Sequence, residues 1–168
     1  MFLMSKRSVP AQGLGLLAWL AICFAAAGIG AAASLQAGSF YRELVRPDWA
    51  PPAGIFGPVW SILYGLMAVS AWWVWRSQAF ATTRGALAVF LLQLIVNALW
   101  SWLFFSWHLG AWALVDISVL LVLIVVTMTL FWRISHGAAL LLLPYLAWVA
   151  FATALNVAIW RLNPTLLG

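Results

Sequence analysis

The chain has 168 residues, of which 67% are hydrophobic and only 7% charged, eight basic and three acidic. A soluble domain carries roughly 25% charged residues, so this composition cannot cover a water-facing surface and excludes a soluble globular domain, a disordered chain and a coiled coil. The net charge of +5 does not point to nucleic acid, because after Arg7 no two basic residues are adjacent and none line up against a run of phosphates.

What remains is an integral membrane protein, read as one domain over residues 1–168. The segments 8–41, 49–75, 85–115, 117–132 and 134–160 contain no charged residue. A hydrocarbon core about 30 Å thick takes roughly 20 apolar residues per helix. Five spans are therefore predicted, at about 13–34, 57–76, 86–107, 111–132 and 138–160. They are twice the length of a barrel strand and lack its alternation, so the expected class is an all-α bundle of five transmembrane helices.

Span 1 follows Lys6-Arg7 and ends in Ala31-Ala32-Ala33-Ser34, the layout of a signal peptide. Its apolar run of about 20 residues exceeds a signal core of about 7–15, which favours a retained helix. Ala26, Gly30 and Ser34 recur at spacing four, as do Gly28 and Ala32. Small residues let backbones approach closely in lipid, so this face is expected to pack inside the bundle, with a dimer face as the second reading. Cys23 is the only cysteine, which excludes an intrachain disulfide.

Residues 35–56 form the one long connection, with Arg42, Glu43, Arg46, Asp48 and then Pro51-Pro52, which cannot continue a helix. In so short a chain it reads as a functional loop or lid, against a plain connector. Span 2 carries Trp60, Tyr64, Met67 and Ala71 on one helical face. Span 3 carries Gln93, Asn97, Trp100, Ser101 and Phe104. The turn His108-Leu109-Gly110 leads to span 4 and Asp116, the only acid inside a span. Asp116 lies about one turn from the start and is expected to reach the interface or cap a backbone donor; no second group for a proton relay is visible. Pro144 should bend span 5, which carries Tyr145, Trp148, Ala152 and Asn156 on one face.

Five spans put the termini on opposite sides. Lys6, Arg7, Arg76, Arg84 and Arg133 fall on the N-terminal side and Arg42, Arg46 and Arg161 on the other, which favours a cytoplasmic N-terminus. Of thirteen tryptophans, an interfacial belt accounts for Trp72, Trp73, Trp75, Trp107, Trp112, Trp132 and Trp160 but not for Trp60, Trp100 or Trp148. Amides facing lipid are costly, so the stripe of span 3 faces protein or a cavity, on which the stripes of spans 2 and 5 could converge. Two readings stand: one cavity lined by indoles, a phenol and amides, or Asn97 and Asn156 as interhelical glue worth about 1 kcal/mol each. His108 and His136 lie at span ends with no ligating partner, so no metal site and no cofactor are expected. Neither a nucleophile motif nor a phosphate loop is present.

The blocks Arg46-Pro47-x-Trp49-x-Pro51-Pro52, Phe56-Gly57-Pro58-Val59-Trp60-x3-Tyr64, Gln93-x3-Asn97-x2-Trp100, Phe104-Phe105, Trp112-Ala113-Leu114-Val115-Asp116, Pro144-Tyr145-Leu146-Ala147-Trp148-x2-Phe151-Ala152-Thr153-x-Leu155-Asn156 and Trp160-Arg161-x-Asn163 resemble the TspO/MBR family. That family comprises the tryptophan-rich sensory proteins and the mitochondrial translocator protein, or peripheral benzodiazepine receptor. The resemblance implies a five-helix membrane bundle, often a homodimer, in a bacterial membrane or the mitochondrial outer membrane; a bacterial cell membrane is expected here. It implies binding of porphyrins such as protoporphyrin IX, of sterols and of benzodiazepine-type ligands beneath the loop between helices 1 and 2. By matched position Trp49, Trp60, Tyr64, Asn97, Trp100, Trp148, Ala152 and Leu155 should line that site, with Trp49 hanging from the loop opposite Trp148.

Arg42, Arg46 or Arg161 would meet porphyrin propionates. Two departures stand out: Val157 occupies the place of the tyrosine in the animal sterol pattern, leaving only the weak match Leu35-x5-Tyr41-x4-Arg46, and Asp48 stands where some bacterial members carry an aromatic. The leading expectation is a receptor for tetrapyrroles. The alternatives are light-dependent porphyrin degradation, with Trp49 and Trp148 as the oxidisable groups, and a facilitated carrier.

Overall fold

The structure is a computed structural model that describes residues 8–35 and 37–168. Lys6 and Arg7, which entered the charge balance, lie outside the described residues. Helices in chain order are α1 (Val9–Ala33), α2 (Ala37–Glu43), α3 (Phe56–Ser77), α4 (Phe80–Ser101), α5 (Gly110–Trp132), α6 (His136–Leu140) and α7 (Leu143–Leu162). Among the described residues five helical segments are long and apolar enough to cross a membrane, with α6 and α7 together making the fifth. The all-α membrane bundle is what the charge-free runs predict.

The spans circle the bundle in the order α3, α1, α4, α5, α7, and α6 wedges between α3 and α5. The seam between α3 and α7 is the sparsest. Small residues explain the tight approaches. A Cβ at Gly15 of α1 would collide with the Trp75 ring of α3, and one at Gly110 would lie 2.6 Å from Trp160 Cδ1. Trp75 and Trp160 therefore fill notches between helices as well as lying near span ends. Trp72 is also tied inward: its Nε1 donates to Gln12 O at 2.8 Å, and the Arg76 guanidinium sits 4.2 Å above its ring. Trp107, Trp112 and Trp132 are exposed, as a belt requires.

Four local expectations need refinement. The 35–56 segment is not an open loop: it folds α2 and a 3-10 turn at Ala53–Ile55. The break near Pro144 is a full interruption at Leu141-Leu142, after which α7 starts with the proline in its first turn, where the missing donor costs nothing. Helix α4 begins at Phe80, so Arg84 lies within it, and its end unwinds into a π-turn, Trp102–Ser106, closed by Trp107 N–H on Trp102 O at 2.8 Å. Asp116 does not reach outward: it is buried, and its Oδ2 has no hydrogen-bond partner.

Two apolar clusters hold the bundle. The larger runs through its middle, around Met67, Phe90, Phe131 and Tyr145. The smaller joins Phe40, Tyr41 and Leu44 of the connection to Phe104, Leu155, Ile159 and Leu167, and so seats the 35–56 segment on the ends of α4 and α7.

Candidate ligand-binding cavity

Between α1, α3, α4 and α7, roofed by the 35–56 segment, lies a cavity of about 410 Å³. This falls in the range of small-molecule sites. The stripes of spans 2, 3 and 5 meet there: α3 supplies Trp60 and Tyr64, α4 supplies Asn97 and Trp100, and α7 supplies Trp148 and Ala152. The fourth wall is the small-residue face of α1, with Ala27, Gly30, Ala31 and Ser34. A Cβ at Gly30 would lie 3.2 Å from Ser101 Oγ, so glycine keeps α1 close to α4. Ser34 spends its hydroxyl on Gly30 O at 3.0 Å.

The ring geometry is fixed from behind. Trp100 Nε1 donates to Asn156 Oδ1 at 3.0 Å, and Asn156 Nδ2 donates to Gly110 O at 3.3 Å. Trp100 also stacks on Phe104, centroids 5.4 Å apart, while the π-turn brings Phe105 edge-on at 5.7 Å. Asn156 and Phe104 thus support the site from behind, and Phe105 reaches the cavity. Beneath it, Tyr145 Oη donates to Gln93 Oε1 at 2.7 Å in the fully buried core. Gln93 thereby serves the floor rather than the lining.

The roof contributes Tyr41, Ala53 and Phe56. Tyr41 Oη donates to Pro51 O at 3.0 Å, and the Arg46 guanidinium lies 4.8 Å over its ring. Burial pushes the Tyr41 hydroxyl above its ordinary value of 10.0, and the adjacent Arg46 partly opposes this. Phe56 meets Trp148 edge-on at 5.9 Å. Two side chains of the lining each carry a buried donor without a hydrogen-bond partner: Asn97 Nδ2 and Trp148 Nε1.

Six of the eight residues expected at the site share this cavity; Trp49 and Leu155 do not. Trp49 is half exposed and packs on Phe151 at 5.8 Å, and Phe151 packs on Trp148 at 5.5 Å, so one ring separates the two tryptophans. Leu155 lies one turn beyond Ala152, where the apolar side chains of the roof cover it. Arg42, Arg46 and Arg161 also stand outside the lining. The α1 wall carries no chemical signal of its own in the sequence, Phe56 and Phe105 entered only through the family blocks, and Tyr41 figured only in the weak sterol pattern. Among the described residues no cluster of His, Cys, Asp or Glu is fit to hold a metal ion.

The sequence profile of the TspO/MBR family matches residues 19–161, which include α1 from Trp19 onward and every residue that lines this cavity. The chain belongs to the TspO/MBR family. It is 38% identical over 158 residues to the tryptophan-rich protein TspO of Chlorobaculum tepidum, covering 91% of this chain and 98% of that one. It is 36% identical over 162 residues to the translocator protein of Homo sapiens, covering 95% and 94%. A tryptophan-rich sensory protein of Cereibacter sphaeroides is 36% identical over 147 residues, covering 88% and 90%. As a member of the TspO/MBR family with five membrane-crossing helices, the chain is a multi-pass integral membrane protein.

Proposed function

We propose that this protein is a membrane receptor that takes a flat, largely apolar ligand of the tetrapyrrole class into the cavity beneath the 35–56 segment. The observation that carries this reading is the pairing of an aromatic lining with two unmet donors. Indole and phenol faces from Trp60, Trp100, Trp148 and Tyr64 offer stacking surfaces to a conjugated ring. Asn97 Nδ2 and Trp148 Nε1 are buried without a partner, a costly state that is relieved when the side chain turns toward an acceptor on a ligand. The names of the relatives, a sensory protein and a translocator protein among them, agree with a sensory or regulatory role in the membrane.

Membership of the family adds the expectation of a homodimer, which mass measurement of the detergent-solubilised protein tests. For the ligand, tryptophan fluorescence is titrated with protoporphyrin, heme and cholesterol on one purified sample. Protoporphyrin is expected to quench at the lowest concentration, and the Trp148→Ala and Asn97→Ala variants to need roughly tenfold more, about 1.4 kcal/mol. Unchanged affinity in both variants removes the cavity from consideration.

A further inference from the structure

The roof of the cavity is tied to the far end of the chain by one side chain. Asn163 ends α7, where its backbone N–H bonds to Ile159 O and Trp160 O. Its side-chain amide then reaches across to Val45, in the middle of the 35–56 segment. Val45 N–H donates to Asn163 Oδ1 at 2.8 Å, and Asn163 Nδ2 donates to Val45 O at 2.8 Å. The remaining Nδ2 hydrogen goes to Ile159 O, also at 2.8 Å. The donor and acceptor of one roof residue are thus matched by the acceptor and donor of one amide, and that amide is itself fixed to its own helix. Asn163 is only 4% exposed, so water competes little for these bonds.

The chemistry allows few substitutes. Aspartate keeps the acceptor and loses both donors, and serine or alanine cannot span the gap. The position matters as much as the bonds. On one side of Val45 stands α2 with Tyr41, which faces the cavity and bonds to Pro51 O; on the other the chain runs through Arg46 and Trp49 to the cavity residues Ala53 and Phe56. The Val45 side chain itself is exposed, so the backbone contact rather than side-chain burial holds this residue. Leu44 beside it is buried against the smaller cluster and brings the segment into register.

We infer that Asn163 is the clamp of the cavity roof, a positioning residue that touches no ligand and sets how long one stays. The second half of this statement rests on the receptor reading above; the first does not.

The test uses the full chain in detergent. Hydrogen exchange is followed for the peptide 41–50 without ligand, in wild type, Asn163→Ala and Asn163→Asp. Exchange of this peptide is expected to quicken roughly tenfold in Asn163→Ala, which loses both bonds to Val45, and roughly threefold in Asn163→Asp, which keeps the acceptor for Val45 N–H, while α5 keeps its protection. Should Asn163→Ala expose α5 as well, the isosteric Asn163→Asp decides. Protoporphyrin dissociation, read by recovery of tryptophan fluorescence, should speed up by a similar factor. Leu162→Ala, a change at the exposed neighbour, should alter neither rate.

Exchange as slow in both variants as in wild type overturns the clamp. Faster exchange with an unchanged dissociation rate overturns its control of residence. If protoporphyrin fails to bind even the wild type, the receptor reading falls, and the exchange measurement still decides whether Asn163 holds the roof.

Discussion

Replacing Asn97 with leucine separates a cavity shaped for a ligand from one left over by helix packing. Asn97 is 3% exposed and its Nδ2 has no partner. An unmet buried donor costs about 1–3 kcal/mol. The neighbouring cavity puts this site at the lower end, about 1 kcal/mol. Leucine shares the branched outline of asparagine and has no polar atom, and its greater bulk extends into the adjoining cavity, so Asn97→Leu removes the penalty without opening a void. The ligand-free protein is then expected to melt higher by roughly 2–4 °C, the shift that about 1 kcal/mol produces in a chain of this size. Binding should move the other way: the ligand loses one hydrogen bond of about 1 kcal/mol, and affinity falls roughly fivefold. Thermal unfolding in detergent and a protoporphyrin quenching titration on the same preparation measure both. A variant that melts lower and binds equally well refutes the reasoning, because Asn97 would then be a structural amide.

Three further outcomes follow from particular contacts. Tyr145→Phe leaves Gln93 Oε1 unmet in a fully buried place and should lower stability by about 1 kcal/mol; adding Gln93→Leu should recover part of the loss, a coupling that a double-mutant cycle in thermal unfolding detects. Gly15→Ala drives a Cβ into the Trp75 ring and should destabilise by about 1–3 kcal/mol, whereas Gly13→Ala, facing open space on the same helix, should leave the melting temperature unchanged or higher. Because burial raises the Tyr41 hydroxyl above 10.0, the folded roof favours the neutral phenol; its contribution to stability is complete below pH 10 and is lost as pH rises through the elevated value. A tyrosinate absorbance titration of wild type against Tyr41→Phe checks this, and a Tyr41 midpoint at or below 10 contradicts it.

Composition and charge spacing determined the architecture: so few charges, gathered at intervals of a membrane's width, leave helices that satisfy their own backbones as the economical solution. Helical period also determined which residues turn away from lipid, and the stripes through Trp60, Asn97 and Trp148 meet as that period requires. A period names a face, however, and not what covers it. Only the tertiary structure separated Asn97, which faces the cavity, from Asn156, which is spent on Trp100 and Gly110. It alone turned the small residues of α1 into a cavity wall and shifted the aromatic role from Phe104 to Phe105 through a π-turn. It placed Leu155 under the roof and Trp49 outside the cavity lining, and it joined Asn163 to Val45 across 118 positions of chain. The physical reason is common to all of these: local period is set by a residue's own helix, whereas partners are set by contacts between segments far apart in the chain, and a single sequence carries no record of which distant segment comes to rest against which face.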